Sequence, residues 1–165
     1  MSSSVKLDKL SVLVVEDLQP VNLLIGKILY TLGVGQVLSA SNGEEGFEMF
    51  CRTNPDIVIT DWHMPKLNGV ELLNRIRKSE SSPNKFAPVI MVTGFNAPER
   101  IASCRDNGVT EFMVKPFTAE DIIKRIAHVI KSPRDFVEIN EYFGPDRRRR
   151  SGSEYSGQCR RKEKN

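Results

Sequence analysis

The sequence predicts an α/β fold, a doubly wound parallel sheet of five strands with five helices. Three observations lead to this prediction. Short apolar runs rich in β-branched residues alternate with amphipathic stretches between residues 10 and 131. The runs are apolar on both faces, which is typical of buried strands in a parallel sheet covered by helices. Pro20 and Gly33 stand where a helix would begin and end.

The predicted elements follow one another as five β–α units. Strands are predicted at residues 10–15, 36–39, 56–60, 88–92 and 109–114. Helices with apolar side chains at helical spacing are predicted at residues 20–32, 43–53, 69–78, 98–107 and 119–131. Thr118 is the predicted N-cap of the last helix. The polar segment 79–86, which contains Pro83, is predicted to be a loop.

Composition excludes several classes of protein. Hydrophobic residues make up 39% of the chain and charged residues 27%, as in an ordinary globular protein. No run approaches the roughly 18 apolar residues of a membrane span, and residues 1–6 lack the apolar core of a secretory signal. The three cysteines are odd in number and widely spaced, which indicates neither a disulfide framework nor a zinc site. We therefore expect a cytoplasmic protein.

Charge divides the chain into a domain and a tail. Residues 1–131 carry 15 Lys and Arg against 15 Asp and Glu, whereas residues 132–165 carry 9 against 6 and supply the whole net charge of +3. We predict one domain at residues 8–131 and a tail at residues 132–165. The 34 residues of the tail are too few for a second domain that folds independently.

The tail itself has two parts. Residues 134–143 could form a short amphipathic helix, a strip that docks on the domain, or a frayed extension of the last helix. Residues 144–165 hold 8 basic and 3 acidic residues and are expected to be disordered in isolation. The arginines at 147–150 could bind phosphate, an acidic partner or nucleic acid, or could simply be solvated.

Polar residues stand at the ends of four predicted strands: Glu16 with Asp17, then Asp61, Thr93 and Lys115. In a doubly wound sheet these ends share the edge where ligands bind. Three neighbouring carboxylates repel one another, and a hard cation such as Mg²⁺ would resolve the repulsion. A carboxylate beside Mg²⁺ can attack phosphorus, while an ammonium and a hydroxyl can hold the phosphoryl group. Taken singly, each residue has an ordinary interpretation as a turn, cap or surface residue.

Four stretches in the same order resemble the receiver domain of bacterial two-component response regulators. They are residues 14–17, residues 57–65 with 68–69, residues 89–94 and residues 114–117. The resemblance covers about residues 8–131 and implies a flavodoxin-like sheet with strand order 2-1-3-4-5. It also implies a phosphoprotein of a phosphorelay signalling system.

The resemblance assigns roles to the carboxylates. Asp61 is implied to be the phosphoacceptor, which takes its phosphoryl group from a histidine kinase or a histidine phosphotransfer protein. Asp17 and Asp61 are implied to coordinate Mg²⁺ directly, together with the backbone carbonyl of His63. Glu16 is implied to hold the ion mainly through water.

The resemblance also assigns the remaining polar residues and a switch. Lys115 is implied to pair with the phosphoryl group and Thr93 to bond it after moving. The bond between Lys115 and Pro116 is expected to be cis. Phe112 takes the aromatic switch position and, having no hydroxyl, must distinguish its inward and outward states by packing alone.

Two positions near the acceptor are expected to set the lifetime of the phosphoaspartate. His63 stands two residues after Asp61, and the bulky Phe95 stands two residues after Thr93. Side chains at these positions are implied to control the access of hydrolytic water. Phe95→Ala should then change the hydrolysis rate. The side chain of His63 could equally be an exposed loop residue.

Several functions remain open at this stage. The leading hypothesis is a switch that binds a downstream protein through residues 97–131, with a homodimer through the same face as an open alternative. An intermediate phosphorelay carrier or phosphate sink would use the same residues. Nucleic-acid binding by the arginine-rich tail is a less favoured hypothesis. A phosphatase-like enzyme ranks last, because no further acid–base residue is placed for it; the expected catalysis is confined to the chain's own phosphorylation and dephosphorylation.

Overall fold

Five of the apolar runs form one parallel sheet in the computed structural model, which describes residues 6–94, 98–139 and 142–146. The strands are β1 (Ser11–Val15), β2 (Gln36–Ala40), β3 (Ile57–Asp61), β4 (Val89–Thr93) and β5 (Glu111–Val114). A short 3-10 helix at Leu7–Lys9 precedes them. The helices are α1 (Gln19–Thr31), α2 (Gly43–Thr53), α3 (Gly69–Lys78), α4 (Pro98–Asp106) and α5 (Ala119–Lys131).

The order of strands in the sheet is β2-β1-β3-β4-β5, and every neighbouring pair is parallel. The predicted fold class and strand order are therefore confirmed. The chain runs first to one side of β1 and then to the other, so the switch point lies between β1 and β3. Ligands bind beside the carboxyl ends of strands at such a point.

The core consists of two apolar layers, one on each face of the sheet. Alternate residues of a strand point to opposite faces, so Leu13 and Val15 belong to one layer and Val12 and Val14 to the other. All four side chains are fully buried. This double burial explains why β1 is apolar throughout rather than alternating with polar residues.

Local capping fixes where the helices begin. Thr118 accepts a hydrogen bond from the Asp121 backbone N–H, and the Asp121 carboxylate accepts one from the Thr118 N–H in return. The predicted cap of α5 is confirmed in this reciprocal form. Asn68 and Glu71 make the same arrangement at the start of α3. Since α3 follows β3, its cap also fixes the loop after Asp61.

The strand boundaries differ from those predicted by one or two residues. Asp61 and Thr93 are the last residues of β3 and β4 rather than the first residues after them. Their backbones are therefore held within the sheet, since Trp62 N–H still donates to the Val92 carbonyl at 2.9 Å. The side chains of Asp61 and Thr93 therefore project from backbone that belongs to the sheet.

Of the three alternatives for residues 134–143, the described residues form neither the amphipathic helix nor the frayed extension of α5. Strands β6 (Phe136–Ile139) and β7 (Tyr142–Pro145) pair antiparallel instead. Pro133 explains the end of α5 at Lys131, because proline lacks an N–H and disfavours helix in the residue before it. The third alternative, a strip that docks on the domain, agrees with the hairpin of β6 and β7, whose Phe136 and Phe143 contact Phe86. The expected disordered segment begins inside β7, and residues 147–165 lie outside the described residues.

Three aromatic rings attach this hairpin, formed by β6 and β7, to the loop before β4. The ring of Phe86 lies 5.2 Å from that of Phe136 and 5.4 Å from that of Phe143, in edge-to-face geometry. Gly144 packs against Gly108 backbone to backbone, and a Cβ at Gly144 would stand 2.6 Å from the Gly108 Cα. The hairpin thus covers the amino ends of β4 and β5.

A buried arginine lies beneath the hairpin. The Arg77 side chain is 1% exposed. Its guanidinium donates to the backbone carbonyls of Gly108 (3.1 Å), Lys85 (2.9 Å) and Ala87 (2.7 Å). It also lies 5.0 Å from the ring centroid of Phe136. Burial lowers the pKa of Arg77 to about 9, so the group is still charged at neutral pH.

A carboxylate of β5 ties the start of the tail to α5. Glu111 accepts from Arg125 at 3.1 Å, His128 Nδ1 lies 2.8 Å from it, and Arg134 lies 3.4 Å from it. Two of these partners belong to α5, and Arg134 belongs to the segment that leads into the hairpin. Within the described residues, no helix has the length and apolar character needed to cross a membrane.

Candidate functional site

Three carboxylates converge at the carboxyl edge of the sheet. Glu16 and Asp17 follow β1, and Asp61 ends the neighbouring strand β3. One oxygen from each side chain lies within 4.8 Å of the other two. Glu16 and Asp61 are buried, whereas Asp17 is exposed. The group is therefore open to solvent on the Asp17 side, from which a hydrated ion could approach.

Lys115 reaches into this cluster from the end of β5. Its Nζ lies 3.0 Å from Glu16 Oε2 and 3.3 Å from Asp61 Oδ2. Its backbone N–H donates to the Thr93 carbonyl at 2.8 Å, and the peptide bond to Pro116 is cis, as expected. Burial alone would lower the pKa of Lys115, but its bond to Glu16 and the charge of Asp61 outweigh burial and raise it. The ammonium is thus held in its charged form.

Glu16 is fixed on both carboxylate oxygens. Oε1 accepts from the Leu18 backbone N–H at 3.1 Å, and Oε2 accepts from Lys115. Burial raises the pKa of Glu16, against the opposing effect of the Lys115 bond. The proton affinity of this carboxylate is therefore higher than that of a solvated glutamate. A nearby cation would favour its ionised form.

A close approach of the backbone holds the loop after Asp61. The Trp62 N–H donates to Asp61 Oδ1 at 2.9 Å and so orients the carboxylate. The Gly69 N–H donates to the Trp62 carbonyl at 2.9 Å and closes the loop. A Cβ at Gly69 would collide with the Asp61 carbonyl oxygen, so only glycine fits at the start of α3.

The other residues selected from the sequence lie around this centre. Thr93 is buried at the end of β4. Phe112 on β5 pairs with Met91, which precedes Thr93 by two residues on β4. Phe112 is half-buried against the core. His63 is exposed, with its ring 6.2 Å from that of Trp62. Phe95 lies outside the described residues.

The donor set fits a hard divalent cation. Its three carboxylates supply the oxygen ligands that Mg²⁺ prefers, and the exposed side leaves room for the waters that Mg²⁺ retains. A single ammonium, that of Lys115, contacts two of the three carboxylates. Negative charge therefore exceeds positive charge among these four side chains, which favours the binding of a cation.

Comparison with known proteins identifies the family. The model of the response regulator receiver domain matches residues 12–127 of this chain. The chain belongs to this family. The match spans all five strands and most of α5, and it ends before the hairpin. The hairpin is therefore an addition to the part of the receiver domain that the family model describes.

Curated relatives and solved structures agree with this assignment. The receiver domain is 31% identical over 122 residues to the chemotaxis protein CheY of Pseudomonas aeruginosa, covering 74% of this chain and 97% of the relative. It is 32% identical over 127 residues to CheY1 of Helicobacter pylori, covering 76% and 100%. The structure of Vibrio cholerae CheY4 superposes with a TM-score of 0.68 at 28% identity, covering 73% of this chain and 98% of that one.

A further similar structure contains a bound partner. It is the CheX–CheY–BeF₃–Mg²⁺ complex from Borrelia burgdorferi, with a TM-score of 0.67 at 28% identity, covering 73% of this chain and 89% of that one. As a receiver domain, this chain is a phosphorylation-dependent signalling switch that acts through protein interactions. Receiver domains bind Mg²⁺ at an acidic pocket, and this chain has such a pocket at Glu16, Asp17 and Asp61.

One residue of the site was missed in the sequence. Asn22 is buried on α1 and binds the backbone of the loop that carries the acid pair. A signal for it was present, because Asn22 precedes the buried Ile25 and Leu29 by three and seven residues and so shares their face of the helix. A polar residue on the buried face of a helix usually has a hydrogen-bonding role.

Proposed function

We propose that Asp61 accepts a phosphoryl group from a histidine kinase or a histidine phosphotransfer protein. The observation that carries the proposal is the meeting of Asp61 with two further carboxylates and the Lys115 ammonium at one edge of the sheet. An Asp61 carboxylate oxygen attacks phosphorus while the phosphorus–nitrogen bond of phosphohistidine breaks, and the imidazole keeps the electron pair. The product is an acyl phosphate on Asp61.

Asp17 and Asp61 would hold Mg²⁺ directly, together with the His63 backbone carbonyl, and Glu16 would hold it through water. When bound, the ion supplies charge neutralisation for the incoming phosphoryl oxygens. The convergence of the three carboxylates supports this assignment for Glu16, Asp17 and Asp61. The two oxygens of Asp61 have different partners, because Oδ1 accepts from the Trp62 N–H and Oδ2 lies beside the Lys115 ammonium.

Lys115 would pair with the phosphoryl group, and the Thr93 hydroxyl would move to bond it. Phe112 would then turn inward, with the half-buried position of its ring as the outward state. The register supports this coupling, because Phe112 lies on β5 beside the strand that ends at Thr93. The downstream protein would read the change on residues 97–131. We place this switch in the cytoplasm, with catalysis confined to its own phosphorylation and dephosphorylation.

A phosphorylation assay tests the proposal. Wild-type protein is incubated with acetyl phosphate and Mg²⁺, and the covalent mass increase of one phosphoryl group is followed by intact-mass spectrometry. Asp61→Asn should abolish the increase, and removal of Mg²⁺ with a chelator should do the same. Asp56→Asn is the matched control, because Asp56 stands at the opposite end of β3, bonded to Ser11. Labelling of Asp61→Asn at the wild-type level would contradict the proposal.

A further inference from the structure

The side chain of Asn22 joins the carboxyl ends of two strands. Its Nδ2 donates to the Glu16 carbonyl at 3.1 Å and to the Ala40 carbonyl at 3.0 Å. Its Oδ1 accepts from the Ser39 hydroxyl at 2.6 Å. These contacts use both N–H groups of the amide, and the two carbonyls, which can only accept, determine which way round the amide lies. Asn22 therefore connects α1, the loop after β1 and the end of β2.

We propose that Asn22 is a positioning residue that holds Glu16 and Asp17 in the geometry needed to bind the cation. The inference rests on the proposed function of this site as a Mg²⁺-dependent phosphoacceptor. Within the part of the chain that the structure describes, the hydrogen bonds of Asn22 reach none of the three carboxylates and do not reach Lys115. It acts on the backbone from which the acid pair projects.

The backbone at Glu16 depends on this amide. Among the hydrogen bonds of the described residues, the Glu16 carbonyl accepts only from Asn22. The Ala40 carbonyl, in contrast, also accepts from the Glu16 N–H at 3.1 Å. The peptide between Glu16 and Asp17 is therefore oriented on its carbonyl side by Asn22. Rotation of this peptide would move the Asp17 side chain away from the other two carboxylates.

The surroundings of Asn22 favour a role in positioning over a role in stability alone. A cavity of about 390 Å³ lies beside it, and its lining includes Asp17, Gln19 and Glu45. Because this cavity is open and several polar side chains line it, water can hydrate the Glu16 carbonyl when the amide is removed. A water molecule can donate to the Glu16 carbonyl, but it is free to move with that carbonyl. The Asn22 side chain is attached to α1 and therefore holds the carbonyl in one direction. The loss should therefore fall mainly on cation affinity.

The chain contains its own probe for the test. Trp62 is the sole tryptophan, and its backbone N–H bonds Asp61, so its fluorescence should respond to Mg²⁺ at the site. Mg²⁺ titrations are compared for the wild type, Asn22→Ala and Ser39→Ala. Asn74→Ala is the matched control, because it also removes an asparagine amide from a helix, in this case α3.

We expect Asn22→Ala to raise the Kd for Mg²⁺ by about 10-fold or more, a typical effect of losing a group that orients a metal ligand. Ser39→Ala should give a smaller increase, because it keeps the two donated bonds and frees only the amide oxygen. Asn74→Ala should match the wild type. A wild type that binds Mg²⁺ while Asn22→Ala binds it equally well would overturn this inference alone. A wild type without any Mg²⁺ response would overturn the proposed function as well.

Backbone hydrogen exchange separates positioning from unfolding and does not depend on the metal. In Asn22→Ala the amides of Glu16 and Leu18, which donate to the Ala40 carbonyl and the Glu16 carboxylate, should exchange at least 10-fold faster, while the amides of α1 and β2 keep their protection. Equal loss of protection across α1, β2 and the loop would show that Asn22 only stabilises the fold. Should Asn22→Ala fail to fold, Ser39→Ala with wild-type affinity and wild-type exchange would overturn the inference.

Discussion

Arg77 beneath the hairpin provides the sharpest test of how the C-terminal segment is attached. Arg77→Met keeps most of the side-chain volume but removes the guanidinium. Three backbone carbonyls, at Gly108, Lys85 and Ala87, then lose their donor. Since these acceptors belong to the backbone, no substitution can remove them together with the charge. An apolar replacement therefore cannot compensate as it can for a pair of buried side chains.

The magnitude follows from the bonds that are lost. A buried carbonyl left without a donor costs about 1–3 kcal/mol. A groove of about 530 Å³ that adjoins Arg77, Phe86 and Tyr142 allows water to reach some of these groups. Loss of the cation–π contact with Phe136 adds roughly 0.5–2 kcal/mol. Relief from burying a charge offsets part of the sum, so we expect a decrease of about 3 kcal/mol in the free energy of unfolding.

Urea denaturation followed by far-UV circular dichroism measures this change. Arg75→Met is the matched control, because Arg75 is an exposed arginine on the same helix. Its guanidinium lies 5.8 Å from the ring centroid of Phe47 and not beside the hairpin. It should change the free energy of unfolding by less than about 1 kcal/mol. If Arg77→Met were within 1 kcal/mol of the wild type, the carbonyls would have to be hydrated at little cost. The cost assigned to the three buried carbonyls would then be wrong.

Three further predictions follow from the geometry. Gly108 and Gly33 both have positive φ, but only a Cβ at Gly108 would also meet a carbonyl of β7, at 2.7 Å. Gly108→Ala should therefore destabilise more than the roughly 1 kcal/mol expected of Gly33→Ala in thermal melts. Thr118→Ala should lower the melting temperature by about 3 °C. The backbone N–H and the hydroxyl of Thr118 both lower the pKa of Asp121, and alanine keeps the first bond but loses the second. The stabilisation from the hydroxyl bond is present above the unfolded pKa of Asp121 and fades as pH falls through the folded pKa. The difference in melting temperature should shrink below about pH 4, and an unchanged difference at pH 3 would contradict this assignment. Asp17→Asn should weaken Mg²⁺ binding at least about 10-fold in the tryptophan titration, and unaltered affinity would remove Asp17 from the ligand set.

The sequence contained enough to predict the parallel sheet because its signals are local. Each strand of the central sheet is a short apolar run, and Thr118 and Gly33 mark helix ends through their own chemistry. The hairpin could not be predicted in the same way. Each of its strands has four residues, which is too short for an alternation of apolar and polar side chains to be distinguished from helical spacing. What decides them is the distant Phe86, which contacts both strands.

The candidate site shows the same division. Asp61, Glu16 and Lys115 could be selected because parallel strands bring their carboxyl ends to one edge, a rule that needs only the order of elements. Asn22 belongs to the same site through hydrogen bonds that span α1, β1 and β2. Its spacing from Ile25 and Leu29 could have placed it on a buried helix face, but its acceptors became known only with the orientation of α1 against the sheet.

The two ends of β4 have a consequence for how complexes can be assembled. Thr93 ends the strand beside the acidic pocket, whereas the hairpin contacts Phe86, three residues before the strand begins at Val89. Five residues of a parallel strand span roughly 16 Å, so a protein seated at one end leaves the other end accessible. Docking of a phosphodonor at the acidic pocket therefore leaves the hairpin uncovered.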